Sequence, residues 1–141
     1  MSQHVLVVDD EISMQRLLRA QLHEFDFTVV CVGTTSAAEA ALRQDAYCGM
    51  VLDYQLPGED GLAFLQRVDG NIWVPPTLIV TGHDILPLQA RSLPICIKGV
   101  LAKPFEFQTL GRLTTSAFGQ AAMCAGFLQS QSLRTHELIE T

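Results

Sequence analysis

The sequence predicts an α/β fold in which a parallel sheet is covered by helices on both faces. Three observations predict it. Short apolar runs alternate with longer amphipathic segments through five rounds. The first run, Val5-Leu6-Val7-Val8, is continuous rather than alternating, as in a strand buried on both faces. Polar side chains capable of chemistry stand where the runs end, and open α/β sheets bind ligands beyond the carboxyl ends of their strands.

The first run stops at Asp9-Asp10-Glu11, and a helix is expected from about Ile12 to Glu24. Met14, Leu17, Leu18 and Leu22 recur at spacings of three and four, which places them on one helical face. Phe27 to Val32 reads as a second strand. Thr34, Thr35 and Ser36 offer N-caps to a helix ending near Gln44. Met50-Val51-Leu52 forms a third strand that ends at Asp53. Pro57, Gly58 and Gly61 mark the loop after it, and Leu62, Phe64, Leu65 and Val68 a third helix.

After Pro75-Pro76, Thr77 to Val80 reads as a fourth strand. Position in the alternation predicts a helix from Asp84 to Ile97, although Pro87 and Pro94 weaken it because proline has no amide hydrogen to donate. Val100-Leu101-Ala102 is the fifth strand. A last helix is expected from near Phe105 to about Ala122, with Leu110, Leu113, Ala117 and Ala121 as its core stripe. Crossovers between parallel strands are expected to be right-handed. Phe118, Met123, Phe127 and Leu128 extend the apolar character, either docking on the domain or forming a partner surface. The expected organisation is one domain over residues 1–122, then a tail or the start of a connector helix over 123–141.

Composition narrows the function. The chain has 141 residues, enough for one domain with its own core. Hydrophobic residues at 48% and charged residues at 17% describe an ordinary globular protein rather than a disordered one. A formal net charge of -6 argues against direct binding to nucleic acid, which needs an excess of Lys and Arg to displace counterions. The four cysteines, Cys31, Cys48, Cys96 and Cys124, form no Cys-x-x-Cys pair and have no zinc spacing with histidine, so they read as reduced thiols. No leader pattern and no run near the ~20 apolar residues of a membrane span is seen. A cytoplasmic location fits these features.

The strand ends carry the chemistry. Asp9 and Asp10 follow the first strand, Asp53 ends the third, Thr81 the fourth and Lys103 the fifth. Parallel strands bring these ends to one edge, where three carboxylates, a hydroxyl and an ammonium converge. Clustered carboxylates repel one another unless a cation joins them. Mg²⁺ suits an oxygen-only set, since it uses few carboxylates and keeps waters and phosphate oxygens around it. A carboxylate beside such a cation and a lysine can attack phosphorus and form an aspartyl-phosphate.

Four motifs on these strand ends resemble the receiver domains of two-component response regulators. They are Val7-Val8-Asp9-Asp10-Glu11, the loop from Leu52-Asp53 to Asp60-Gly61, Val80-Thr81-Gly82 and Lys103-Pro104-Phe105. Order and spacing agree, with 28 residues from Asp53 to Thr81 and 22 from Thr81 to Lys103. The stretch Glu39-Ala40-Ala41-Leu42 fits as well. The resemblance extends over about residues 4 to 120. It implies a doubly wound five-stranded sheet of the flavodoxin type, in strand order 2-1-3-4-5.

The resemblance also implies roles. Asp53 is the phosphoacceptor. Asp10, Asp53 and the backbone carbonyl of Gln55 ligate Mg²⁺, and Asp9 helps through water. Lys103 pairs with phosphoryl oxygens, and Thr81 bonds the phosphoryl group and moves with it. Gln55 and His83 stand where receivers tune loss of the phosphoryl group. The donor is a histidine kinase or a phosphohistidine carrier protein. The output is a further protein target, and the only catalysis is self-phosphorylation and autodephosphorylation. A homodimer through the fourth helix, fifth strand and last helix belongs to the same expectation.

Other readings of the residues are weaker. Alone, Asp9 and Asp10 could simply cap a helix, Lys103 could be a solvated loop lysine, and His83 could face solvent. His4, His23 and His136 show no partner pattern. A phosphatase working through an aspartyl-phosphate needs a second acid two residues after the nucleophile, where Gln55 stands. A dinucleotide site lacks its Gly-x-Gly-x-x-Gly. A phosphorylation-independent interaction domain is the alternative that keeps the fold.

The chain departs from the family pattern in its relay. Val100 stands where most receivers carry an aromatic, Cys96-Ile97 replaces a small pair, and Pro87 and Pro94 interrupt the fourth helix. These departures predict a switch that works by loop and helix movement around Thr81, because a ligand shifts a two-state equilibrium only through its differential interaction with the two states. Amide exchange with and without a phosphoryl mimic tests it; no change over residues 82–103 would contradict it.

Overall fold

The structure is a computed structural model, and it describes residues 3–82 and 93–119. Five strands, β1 (His4–Val8), β2 (Thr28–Val32), β3 (Gly49–Asp53), β4 (Thr77–Thr81) and β5 (Ile97–Ala102), form one sheet in the order β2-β1-β3-β4-β5. Every neighbouring pair is parallel. The order reverses direction beside β1, so the crevice at the carboxyl ends of β1 and β3 is the topological switch point.

Alternation along each strand divides the core. Val5 and Val7 of β1, Val51 of β3, and Leu78 and Val80 of β4 point to one face. There they meet α1 (Ile12–Glu24) and α4 (Phe107–Thr114). Leu6 and Val8, Met50 and Leu52, and Ile79 point to the other face. That face is covered by α2 (Thr35–Gln44) and α3 (Gly61–Val68). The three inner strands are apolar on both sides, which is why they read as continuous runs.

Local chemistry starts the helices. The Thr34 hydroxyl accepts from the Ala37 amide at 3.0 Å and opens α2. The Asp60 carboxylate accepts from the Ala63 amide at 2.7 Å and opens α3. In α1, Leu18 and Leu22 are buried, but Leu17 is 43% exposed. Successive helical residues turn by ~100°, so Leu17 falls off the face shared by Met14, Leu18 and Leu22.

The boundaries on either side of β5 differ most from the expectation. The expected helix from Asp84 to Ile97 falls partly on residues 83–92, outside the described residues. Its expected end is not helical: Cys96 lies in a turn and Ile97 already belongs to β5. Pro94 cannot donate, and its carbonyl accepts from the Ile97 amide at 3.0 Å to close the turn. So β5 starts three residues earlier than Val100. Its pairing with β4 shifts at Thr77/Leu78, and Lys98 is the extra residue.

The last helix begins at Phe107 rather than near Phe105, with Glu106 at its N-cap, and becomes a π-helical turn over Thr115–Gly119. Phe118 is fully buried, edge-on to Phe27 at 6.0 Å between ring centroids, so it docks on the domain. Gly49 makes room for it, since a Cβ at Gly49 would run into the Phe118 ring. Ala121, Met123, Phe127 and Leu128, and the expected boundary at residue 122, lie outside the described residues. Cys31, Cys48 and Cys96 are free and half-buried; Cys124 also lies outside. Burial pushes the Cys48 thiol up to about 11.

Candidate functional site: an acidic cleft at the carboxyl edge of the sheet

Four of the five strands, β1, β3, β4 and β5, lead polar side chains to the cleft, and backbone bonds hold the residues just past the strand ends. The Asp9 amide donates to the Val32 carbonyl at 3.0 Å, the Tyr54 amide to Val80 at 2.8 Å and the Lys103 amide to Thr81 at 2.7 Å. The ladder therefore continues one residue beyond β1, β3 and β5. The polar groups inherit the rigidity of the sheet, which a free loop would not give them.

Asp9 is fixed further. Its carboxylate accepts from the Glu11 amide at 2.9 Å. Its carbonyl accepts from the Gln15 side chain at 2.7 Å. Gln15 is a supporting residue that the sequence reading did not pick out. A polar residue in the second turn of a helix gives no signal of what it will reach across a loop. Asp9 and Asp53 are buried, at 1% and 6% exposure, and Asp10 is exposed.

Carboxylate oxygens of Asp9, Asp10 and Asp53 all lie within 4.8 Å of one another. The Lys103 ammonium sits 3.5 Å from Asp9 and 3.5 Å from Asp53. The Gln55 amide donates to the Asp53 carboxylate at 3.2 Å. The Asp53 carboxyl is held above its ordinary range, first by burial and then by the charge of Asp9, while Lys103 and the Gln55 amide pull it down. Thr81 is fully buried at the end of β4.

The donor set fits a hard divalent cation. It offers oxygens only, with no thiolate or imidazole, which selects Mg²⁺ or Ca²⁺ over zinc. One ammonium against three carboxylates leaves excess negative charge in a partly buried cleft, and a divalent ion would offset it. Of the residues singled out in the sequence, Asp9, Asp10, Asp53, Gln55, Thr81 and Lys103 all stand at this edge. His83 lies outside the described residues.

The loop from Tyr54 to Asp60 borders the cleft. Its ends meet where the Gly61 amide donates to the Tyr54 carbonyl at 2.7 Å. Gly61 is needed there: a Cβ would stand 2.9 Å from the Asp53 carbonyl oxygen. The α3 N-terminus thus packs directly on the backbone of the residue that carries the central carboxylate.

The family profile of the response regulator receiver domain matches residues 5–114. The chain belongs to that family. Among curated relatives, this receiver is 35% identical over 106 residues to the transcriptional regulatory protein PmrA of Pectobacterium parmentieri. That alignment covers 75% of this chain and 47% of PmrA. It is 32% identical over 122 residues to the transcriptional regulatory protein FixJ of Bradyrhizobium diazoefficiens, covering 86% of this chain and 60% of FixJ. The chain thus spans about half the length of these relatives.

Among solved structures, it resembles the receiver domain of a sensor histidine kinase from Pseudomonas aeruginosa PAO1, which has a magnesium ion coordinated in its active-site cleft. The TM-score is 0.70 at 25% identity, over 84% of this chain and 99% of that one. A receiver domain from Clostridium thermocellum superposes with a TM-score of 0.76 at 17% identity, over 88% and 99% of the two chains, and shares the fold. The receiver sheet order 2-1-3-4-5 is therefore both predicted and observed. No helix among the described residues is long and apolar enough to cross a membrane.

Proposed function

We propose that this receiver is a phosphorylation-controlled signalling switch with Asp53 as phosphoacceptor. The observation that carries the reading is the Asp53 carboxylate at the end of β3, with the Lys103 ammonium 3.5 Å away and Asp9 and Asp10 beside it.

An Asp53 oxygen attacks the phosphorus of a phosphohistidine on a histidine kinase or carrier protein. The new P–O bond forms as the P–N bond breaks, and the departing imidazole keeps the electron pair and takes up a proton. Lys103 neutralises charge on the phosphoryl oxygens, and the Thr81 hydroxyl donates a hydrogen bond to one of them. Asp10, Asp53 and the Gln55 carbonyl would hold Mg²⁺, with Asp9 acting through water. When bound, the ion supplies positive charge to the carboxylates and to the phosphoryl group.

Reversal is hydrolysis: water attacks phosphorus and releases phosphate, with Gln55 and His83 controlling its access. The chain needs no other substrate. Its output passes to a protein partner rather than through nucleic acid bound by this chain. The acidic net charge supports that reading. The free thiols of Cys31, Cys48 and Cys96 fit a reducing, cytoplasmic site of action.

The test is intact-mass analysis after incubation with acetyl phosphate and Mg²⁺. One phosphoryl adduct that requires Mg²⁺ supports the switch. A folded chain that takes no adduct would instead be a phosphorylation-independent interaction domain.

A further inference from the structure

The loop that carries Gln55 is tied down at a second point, away from the cleft. Arg67 of α3 grips Glu59 with two parallel bonds, Nε to Oε2 at 2.8 Å and Nη2 to Oε1 at 3.0 Å. Its remaining nitrogen, Nη1, reaches Glu39 of α2 at 2.8 Å. Glu39 is in turn paired with Arg43 at 3.1 Å. The Arg67 guanidinium also lies over the Phe64 ring, 5.6 Å from its centroid.

Isolated surface pairs contribute little, because two long side chains must be ordered and water screens them. This arrangement differs in three ways. The Arg67–Glu59 pair is bidentate and so geometrically fixed. The Glu59 side chain is only 20% exposed. Arg67 foremost, with a lesser contribution from Thr35 at the start of α2, holds the Glu59 carboxyl below its ordinary range. Through Arg67, one loop residue is thus linked to both α3 and α2.

The consequence lies in the loop. Between the closed base at Tyr54 and Gly61 and the tether at Glu59 stand Gln55 to Gly58. In that stretch only Leu56 is buried. Gln55 is exposed, and its amide bonds Asp53 at a long 3.2 Å. We propose that Arg67 is a positioning residue. It acts through Glu59 to hold the acceptor loop in the shape that presents the Gln55 backbone to the cleft, and so sets how well the site takes up Mg²⁺. This rests on the proposed reading of the cleft.

The test compares the native chain with Arg67→Gln, Glu59→Gln, the double variant and Glu39→Gln. Mg²⁺ half-saturation is read by calorimetry at low and high ionic strength, amide exchange over residues 54–60, and melting temperature separately. Arg67→Gln and Glu59→Gln should each weaken Mg²⁺ uptake about threefold and speed exchange in the loop. The double variant should be no worse than either single change, because both break one interaction. Glu39→Gln should do less, and high salt should narrow the difference between native and variant.

Unchanged half-saturation in Arg67→Gln, with or without a lower melting temperature, would overturn the proposal. So would full additivity of the two single changes. A native chain that binds no Mg²⁺ would instead remove the reading of the cleft on which the proposal rests.

Discussion

The two ends of the sheet are built on opposite terms. At the carboxyl end, Asp9, Asp53 and Thr81 are almost fully buried polar groups, and one lysine faces both aspartates. At the other end, Trp73 is 69% exposed and Ile95 90% exposed, beside a cavity of about 280 Å³ that they line with Leu65 and Pro94. One end hides charge and the other leaves apolar surface in water. Burying like charges costs stability, whereas exposed apolar residues near the rim are common and cheap. The difference teaches that the inner strands serve as an apolar beam whose carboxyl end carries the costly buried charges of the candidate site.

The largest expected effect sharpens this contrast at Asp53. Asp53→Asn should abolish the phosphoryl adduct and, with chelator present, raise the melting temperature by about 3 °C. The sign follows from the raised folded pKa. The folded state favours the protonated carboxyl, so the cost of the charge develops as pH rises from 3.8 through the higher folded value and is complete above it. Calorimetric melting of both proteins checks it.

Next is Lys103→Met. Removing the ammonium that faces both buried aspartates should slow adduct formation by about 10²-fold, measured as the rate with acetyl phosphate. It should also lower the metal-free melting temperature, since two neighbouring carboxylates lose their counter-charge.

A smaller effect concerns the loop tether. Glu59 titrates below its ordinary 4.5 because of Arg67, so its contribution is present above that value and is lost as pH falls through the lower folded value. Loop amide exchange, corrected for intrinsic rates, should accelerate as pH falls below 4.5 in the native chain and show no such step in Arg67→Gln.

The smallest effects belong to the apolar end and the core thiol. Trp73→Ser should change stability by no more than about 0.5 kcal/mol and leave Mg²⁺ uptake unaltered; a large change in either would break the contrast. Cys48, with its thiol pushed up to about 11, should react with a thiol reagent at pH 8 far more slowly than an unfolded control.

The fold was legible because β1, β3 and β4 are buried on both faces, and only a continuous apolar run satisfies that demand. The cleft was legible because parallel strands carry their last residues to one edge, so Asp9, Asp53, Thr81 and Lys103 announce themselves by position. Ile97 was misread as helical because β5 takes its partner from β4 across a bulge, a long-range event that the local pattern around Pro94 does not encode. Gln15, and the reach of Arg67 to Glu59 and Glu39, were invisible for a related reason. Their partners are distant in sequence or off the helical period, and only the packed helices bring them within bonding distance.

The most direct test of the account is to locate the phosphoryl group. The chain is treated with acetyl phosphate and Mg²⁺, the acyl phosphate is reduced with borohydride, and the digest is sequenced by mass spectrometry. Reduction converts a phosphorylated aspartate to homoserine. The account predicts homoserine at position 53 alone, requiring Mg²⁺ during phosphorylation. Homoserine at position 9 or 10, or none in a folded chain, would contradict it.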